Sequence, residues 1–195
     1  MNTYKTIQSD CFRITGKSKL LTIAKQVLFG ETFKYLFWMR VCLYSDKNIA
    51  LKLLLFPISK LLLNHYKFKF GICLSYRVKL GAGLYLPHFG GIVINDDCVL
   101  GDNLVISQGV TLGKTDRGKH KGSPVINNNV FIGPNSVVVG GITIGNNVLI
   151  APNSFVNFDV PANAVISGNP AKIISMQGAN EYIKRPWVTT EQVVA

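Results

Sequence analysis

From residue 74 onward, aliphatic side chains keep a six-residue beat: Leu74, Leu80, Leu86, Ile94, Leu100, Ile106, Leu112, Ile126, Ile132, Val138, Ile144, Ile150 and Val156. Small or turn-forming residues follow many of these anchors, among them Gly81, Gly101, Gly133, Gly145 and Ala151. Four places after an anchor comes a second small or aliphatic residue, as at Leu84, Leu104, Val130, Ser136, Val148 and Ser154. A period of six fits neither an amphipathic helix nor an alternating strand. It predicts a parallel β-helix with one short strand and one turn per hexad. Each coil then buries its anchors against the coils above and below.

The beat breaks twice. Leu86 and Ile94 stand eight residues apart, with the surplus in Pro87-His88-Phe89-Gly90-Gly91. Leu112 and Ile126 stand fourteen apart. The second surplus lies in Gly113–Ser123, a polar, basic, glycine-bearing stretch that has to loop out of the solenoid.

Ahead of the repeats the pattern turns helical. Residues 1–16 read as a loose lead-in. Leu20, Leu21, Ile23, Ala24, Val27 and Leu28 have helix spacing, and Gly30 ends that first helix. Glu31 to Tyr44 gives a second helix. Lys47 to Asn64 gives a third, capped by Asp46, with Lys52 and Lys60 on its polar side and a kink at Pro57. The expected organisation is a basic, apolar α-helical region over 1–70, a β-helix over 71–175 with a protruding loop at 113–123, and a tail over 176–195. The helical region reads either as a cap or trimer contact on the first coils, or as a segment that meets a membrane surface.

Charge sharpens that division. The chain carries a formal +11. Residues 1–72 hold 12 Lys/Arg against 3 Asp/Glu, and residues 73–195 hold 9 against 7. A basic apolar segment suits anionic lipid or another acidic partner. No nucleic-acid-binding motif accompanies the charge, so nucleic acid is not expected. Cys11, Cys42, Cys73 and Cys98 have neither metal spacing nor disulfide-scaffold density, and Cys98 falls on an inward position as a buried small hydrophobe. Met1 to Ser9 is polar and shows no secretory leader, and no run reaches the roughly 18 apolar residues of a membrane span. The expected location is cytoplasmic, with peripheral contact at the inner face of the membrane open to residues 1–70.

Two features can carry chemistry. His88 stands in the first break. An imidazole accepts a proton near neutral pH, which activating a hydroxyl requires; a histidine that only caps a turn is the plain alternative. His120, among the loop lysines, and His65, at the end of the helical region, read as solvated and structural. The loop sets Lys114, Arg117, Lys119 and Lys121 against Asp116, which suits a phosphorylated ligand or, more plainly, water. Lys172 is a second candidate phosphate contact.

These residues together resemble the left-handed β-helix acyltransferases, closest to serine acetyltransferases and their polysaccharide-pathway relatives. The resemblance rests on Lys79-Leu-Gly-Ala-Gly-Leu-Tyr-Leu-Pro-His88, Gly91-Ile-Val-Ile94, Gln108-Gly-Val-Thr-Leu-Gly113, Ile132-Gly-Pro134, Gly140-Gly-Ile-Thr-Ile-Gly145 and Gly168-Asn-Pro-Ala-Lys172. It implies a left-handed β-helix and a homotrimer with sites between neighbouring solenoids. It implies acetyl-CoA as co-substrate, no metal, and His88 as the general base of a direct transfer. Gly113, Lys114, Thr115, Pro134, Pro152 and Lys172 are the implied coenzyme contacts. Backbone N–H groups of a glycine-rich turn would meet the oxyanion, and a backbone carbonyl, Asp96 or Asp97 would orient His88.

The chain also departs from the serine enzymes. Cys73, Pro87 and Ser123 stand where the family pattern has Asp, Asp and His. A buried site for a charged amino acid needs such partners, so the expected acceptor is a sugar hydroxyl of a capsule, exopolysaccharide or O-antigen glycan, free, polymeric or lipid-linked. A serine O-acetyltransferase of cysteine biosynthesis is the alternative. A non-enzymatic β-helix scaffold is a further one, and a metal-dependent β-helix hydratase lacks the histidines it would need.

Overall fold

The structure, a computed structural model, describes residues 3–47 and 49–188. Residues 189–195 of the expected tail lie outside the described residues. The six-residue beat folds as a left-handed parallel β-helix with a helical region at its N-terminal end. The first face stacks β1 (Ile72–Cys73), β3 (Ile92–Ile94), β6 (Thr111–Gly113), β9 (Val137–Val139) and β12 (Phe155–Val156). The second stacks β2 (Lys79–Leu80), β4 (Val99–Leu100), β7 (Val125–Ile126) and β10 (Thr143–Ile144). The third stacks β5 (Val105–Ile106), β8 (Phe131–Ile132), β11 (Leu149–Ile150) and β13 (Val165–Gly168), closed by the antiparallel β14 (Ala171–Ser175).

The anchors form three columns, because three hexads complete one turn. Ile94 pairs with Leu112, Leu112 with Val138 and Val138 with Val156 on the first face. Leu100, Ile126 and Ile144 stack on the second, and Ile106, Ile132, Ile150 and Ile166 on the third. Every anchor is buried apart from the half-buried Leu80 in the first coil. Corners such as Asn135 and Asn153 take φ 58°, a left-handed turn that the short amide side chain tolerates. Cys98 is buried as expected, and burial pushes its thiol up to about 11.

The helical region holds α1 (Thr3–Thr15), α2 (Leu20–Phe29), α3 (Thr32–Asp46), α4 (Ile49–Leu54) and α5 (Phe56–Phe70). Two expectations need correction. Residues 1–16 are not a loose lead-in; α1 occupies most of them. Its buried side chains are Ile7, Ser9, Asp10, Cys11 and Arg13, so polar groups interrupt the apolar pattern of its inward face. The third expected helix is two, divided at Leu55, and it runs past Asn64 to Phe70. Pro57 lies in the first turn of α5, where its missing N–H removes no helical bond.

The polar groups of α1 and α3 end the solenoid. A first coil exposes N–H and C=O groups with no coil beneath them, and buried groups of that kind must be paired. The Ser9 hydroxyl accepts from the Gly83 N–H at 2.9 Å, and Asp10 accepts from the Leu84 N–H at 2.9 Å. Arg13 donates to the Gly83 carbonyl, Thr32 to that of Leu86, and Tyr35 to that of Leu74. Arg40 donates to the carbonyls of Leu80 (3.2 Å) and Gly81 (2.6 Å) and pairs with Asp10 at 3.0 Å. At the other side, the segment after β14 covers the third face: Ala179 and Ile183 pack on Val105 and Leu149. No described helix is long and apolar enough to cross a membrane.

Candidate active site

The first break opens the corner between the third and first faces. Leu86 completes the first coil, buried. Pro87, His88 and Phe89 then swing outward, and the chain returns to the ladder through Gly90 (φ 109°) and Gly91 (φ 65°), conformations that favour glycine. Phe89 steadies the excursion, its ring 5.3 Å from that of Phe70 at the end of α5. His88 is exposed, and its imidazole has no hydrogen-bond partner among the described residues.

The coils above continue this corner as one column. The Gly109 N–H donates to the Gly90 carbonyl (2.8 Å), Asn135 to Gln108 (3.0 Å) and Asn153 to Pro134 (2.9 Å). Pro134 and Pro152 therefore stand above His88. At the usual strand spacing of about 4.8 Å they are roughly 10 and 14 Å up the solenoid. Lys172 lies beyond them, opposite Ser167 in the closing hairpin of the third face. Gln108, between His88 and Pro134, also belongs to this column; only the register of the coils reveals it.

The second break opens a different corner, between the first and second faces. Gly113 ends β6, and the chain leaves as a short hairpin in which Thr115 and Gly122 exchange two backbone hydrogen bonds of 2.9 Å. The His120 carbonyl accepts from the Thr115 hydroxyl at 2.6 Å and from the Gly141 N–H at 2.8 Å, which pins the hairpin to the coil above. The His120 side chain is half-buried, not solvated as expected. Lys114 pairs with Asp97 at 2.9 Å, a bond that holds its ammonium above the ordinary lysine value. Arg117, Lys119 and Lys121 stay exposed. The Ser123 hydroxyl donates to the Asn95 side-chain oxygen at 2.9 Å.

The structure thus brings His88, Pro134, Pro152 and Lys172 onto one edge and places Gly113, Lys114 and Thr115 on another. Asp96 and Asp97 belong to that second edge, past the far end of β3, with about 10 Å of strand between them and the His88 corner. Neither orients His88 within one chain, and that expectation is corrected. The first face lies between the two edges. Its outward side chains include Cys73, Val93, Thr111, Val137 and Phe155, mostly apolar and either exposed or half-buried. Among the described residues no group of three His, Cys, Asp or Glu stands together as metal ligands would.

Comparison with known proteins places this architecture. The family model of the bacterial transferase hexapeptide (six repeats) matches residues 123–157. Serine acetyltransferase of Staphylococcus epidermidis is 40% identical over 112 residues, 57% of this chain and 53% of its own length. Serine acetyltransferase 2 of Arabidopsis thaliana is 37% identical over 105 residues, 54% of this chain and 32% of its own length. The chain thus spans between about a third and a half of the curated relatives it matches. Among solved structures, Neisseria gonorrhoeae serine acetyltransferase in complex with serine superposes with a TM-score of 0.69 at 31% identity, over 87% of this chain and 68% of that one. Serine acetyltransferase of Brucella abortus in complex with coenzyme A gives 0.69 at 28% identity, over 90% and 67%.

These likenesses overturn the sugar acceptor expected from Cys73, Pro87 and Ser123. The relatives are serine acetyltransferases, not polysaccharide O-acetyltransferases. Pro87 and Ser123 stand at opposite edges of the first face, which a single chain holds apart.

Proposed function

The chain belongs to the hexapeptide-repeat acyltransferases, on their serine acetyltransferase-like side, and from that premise we propose that it is a serine O-acetyltransferase using acetyl-CoA. The observation that carries the reading is the outward break at His88, at the foot of a straight column of corners, in a chain similar to serine acetyltransferases with serine or coenzyme A bound. His88 accepts the proton of the serine hydroxyl as that oxygen attacks the thioester carbonyl. The C–S bond breaks as the new C–O bond forms, and coenzyme A leaves as the thiol, taking up the proton that His88 accepted. Holding both substrates at one edge supplies much of the rate.

The working unit is a trimer. Three solenoids that turn their first faces toward a common axis use two different edges against their two neighbours. Contacts of that kind close into a ring. The third-to-first corner of one protomer then faces the first-to-second corner of the next. His88 thereby meets the hairpin and Asp96 of its neighbour. The apolar outward side chains of the first face support this arrangement, and the third face is already covered by Ala179 and Ile183. Acetyl-CoA lies along the column past Pro134 and Pro152, its phosphates near Lys172 and the cations of the neighbour's hairpin, with the Gly113–Thr115 backbone at the hairpin's base. The ammonium of serine needs an anion. Asp96, exposed and without a salt-bridge partner among the described residues, supplies it across the boundary.

The test is release of free coenzyme A from acetyl-CoA by the purified chain, with L-serine and with neutral hydroxyl acceptors, alongside its mass in solution. Saturable, serine-dependent release by a trimer is expected. Acetyl-CoA binding without serine-dependent release would remove the proposal.

A further inference from the structure

The α4–α5 pair has two apolar faces and only one is packed. Ser59, Leu63 and Phe70 turn inward, toward the rest of the fold. On the outward side Leu54, Ile58, Leu61 and Phe68 follow at steps of four, three and seven residues, which aligns them on one stripe of a helix, with the exposed His65 on the same line between Leu61 and Phe68. The backbone bonds Leu55 N–H to Leu51 C=O and Ser59 N–H to Leu55 C=O carry the helical path through the division at Leu55, so the stripe continues onto α4. Leu53 widens it there, and Ile49, one turn before Leu53, is also exposed. These six apolar side chains are 56% to 83% exposed. They extend over about 30 Å of helix at 1.5 Å per residue. An exposed face that is apolar over most of that length marks a contact surface.

Charge says which. Residues 47–70 hold Lys47, Lys52, Lys60, Lys67 and Lys69 and no Asp or Glu. The acidic group just before them, Asp46, is tied to Lys52 at 2.9 Å. A second copy of this face would match the apolar stripe but set lysines against lysines. An anionic lipid surface matches both: the stripe enters the acyl boundary while the flanking lysines reach the headgroups.

We infer that the outward face of α4–α5 is an in-plane docking surface for anionic phospholipid. This goes beyond the proposed acetyl transfer and does not depend on it. The face lies on the helical region, on the side of α5 opposite Phe70, whose ring meets Phe89 beside His88.

The test uses the full chain with vesicles of phosphatidylcholine alone or mixed with phosphatidylglycerol, at low and high salt. The variant is Leu54→Gln, Leu61→Gln and Phe68→Gln combined. All three side chains are exposed, and circular dichroism checks that the fold is kept. Expected is co-sedimentation of the wild type with the mixed vesicles only, weakened at high salt because exposed charges are screened over about 8 Å at physiological ionic strength. The variant should bind on the order of tenfold or more weakly, since several buried apolar side chains drive such binding. Sedimentation equilibrium without lipid separates the rival occupant. A wild type that self-associates through this face, with the variant reduced to a smaller assembly, overturns the inference in favour of a second copy. Failure of the wild type to bind mixed vesicles at low salt, or equal binding by the variant, overturns it outright.

Discussion

Replacing Arg40 by alanine should cost more stability than any exposed-surface change in this protein. The guanidinium is 2% exposed and makes four hydrogen bonds: two to Asp10 and one each to the carbonyls of Leu80 and Gly81. Removing one partner of a buried ion pair costs about 3–5 kcal/mol. Each carbonyl left without a donor adds up to about 1–3 kcal/mol where water does not reach it. A loss of about 4–6 kcal/mol is a large share of the about 5–15 kcal/mol that holds a domain folded. At about 2–4 °C per kcal/mol for a chain of this size, the midpoint should fall by roughly 10–20 °C. Burial already holds the Asp10 carboxyl above its usual range, against the opposing pull of Arg40. Without Arg40 it rises further. A carboxyl raised in the folded state stabilises most below its unfolded value of about 3.9 and loses that contribution as pH climbs through the folded one. The penalty should therefore be smallest in acid and largest at neutral pH. Urea unfolding across that range measures it. Arg40→Lys, which keeps the charge but not the fork, should fall between wild type and Arg40→Ala. Asp10→Asn with Arg40→Met should lose less than the two single changes added together. An Arg40→Ala protein within about 1 kcal/mol of wild type at neutral pH, a loss too small for a broken buried pair, would refute the capping argument, as would a penalty that grows on acidification.

Three further outcomes are expected. His88→Ala should lower kcat for acetyl transfer by about 10²–10⁴-fold while unfolding at the wild-type midpoint, since His88 lies outside the buried columns; wild-type turnover would remove it as the base. Asp96→Asn should raise the KM for serine more than that for acetyl-CoA, because a charged partner is lost at the acceptor end only; steady-state kinetics with each substrate varied decides it, and an effect confined to acetyl-CoA would place Asp96 with the coenzyme. Arg117→Ala combined with Lys119→Ala should weaken acetyl-CoA binding by about tenfold, as two charge-assisted phosphate contacts imply, and leave the hairpin closed because the Thr115–Gly122 bonds are backbone bonds; unchanged affinity by calorimetry would give the hairpin to the acceptor.

The columns of the solenoid were legible because each anchor contributes one side chain to a stack whose neighbours follow at fixed intervals. A period of six, read in threes, suffices to place Ile106 over Ile132 and Ile150 without any distance information. The cap was not legible for the opposite reason. Ser9, Asp10, Thr32 and Arg40 meet backbone groups 40 to 74 residues away, and a polar residue on a helix reads as solvent-facing until its partner is known. So residues 1–16 read as a loose lead-in, and nothing in them signals the register of α1 against the first coil.

The site divides along the same line. His88 was legible as a candidate because it sits where the beat fails. Its separation from the hairpin was also open to arithmetic. The first break follows the anchor Leu86 and the second follows Leu112, four hexads later, and at three hexads per turn that is one coil up and one corner round. Two breaks close in sequence therefore stand on different edges of the solenoid, and no rearrangement of a packed β-helix brings them together in one chain. A reaction that uses both needs a second copy. The three absent family residues, Cys73, Pro87 and Ser123, accordingly say little about the acceptor by themselves. The carboxylate missing beside His88 within one chain has a counterpart in Asp96 at the other edge. On the proposed trimer this edge faces His88 of the next protomer.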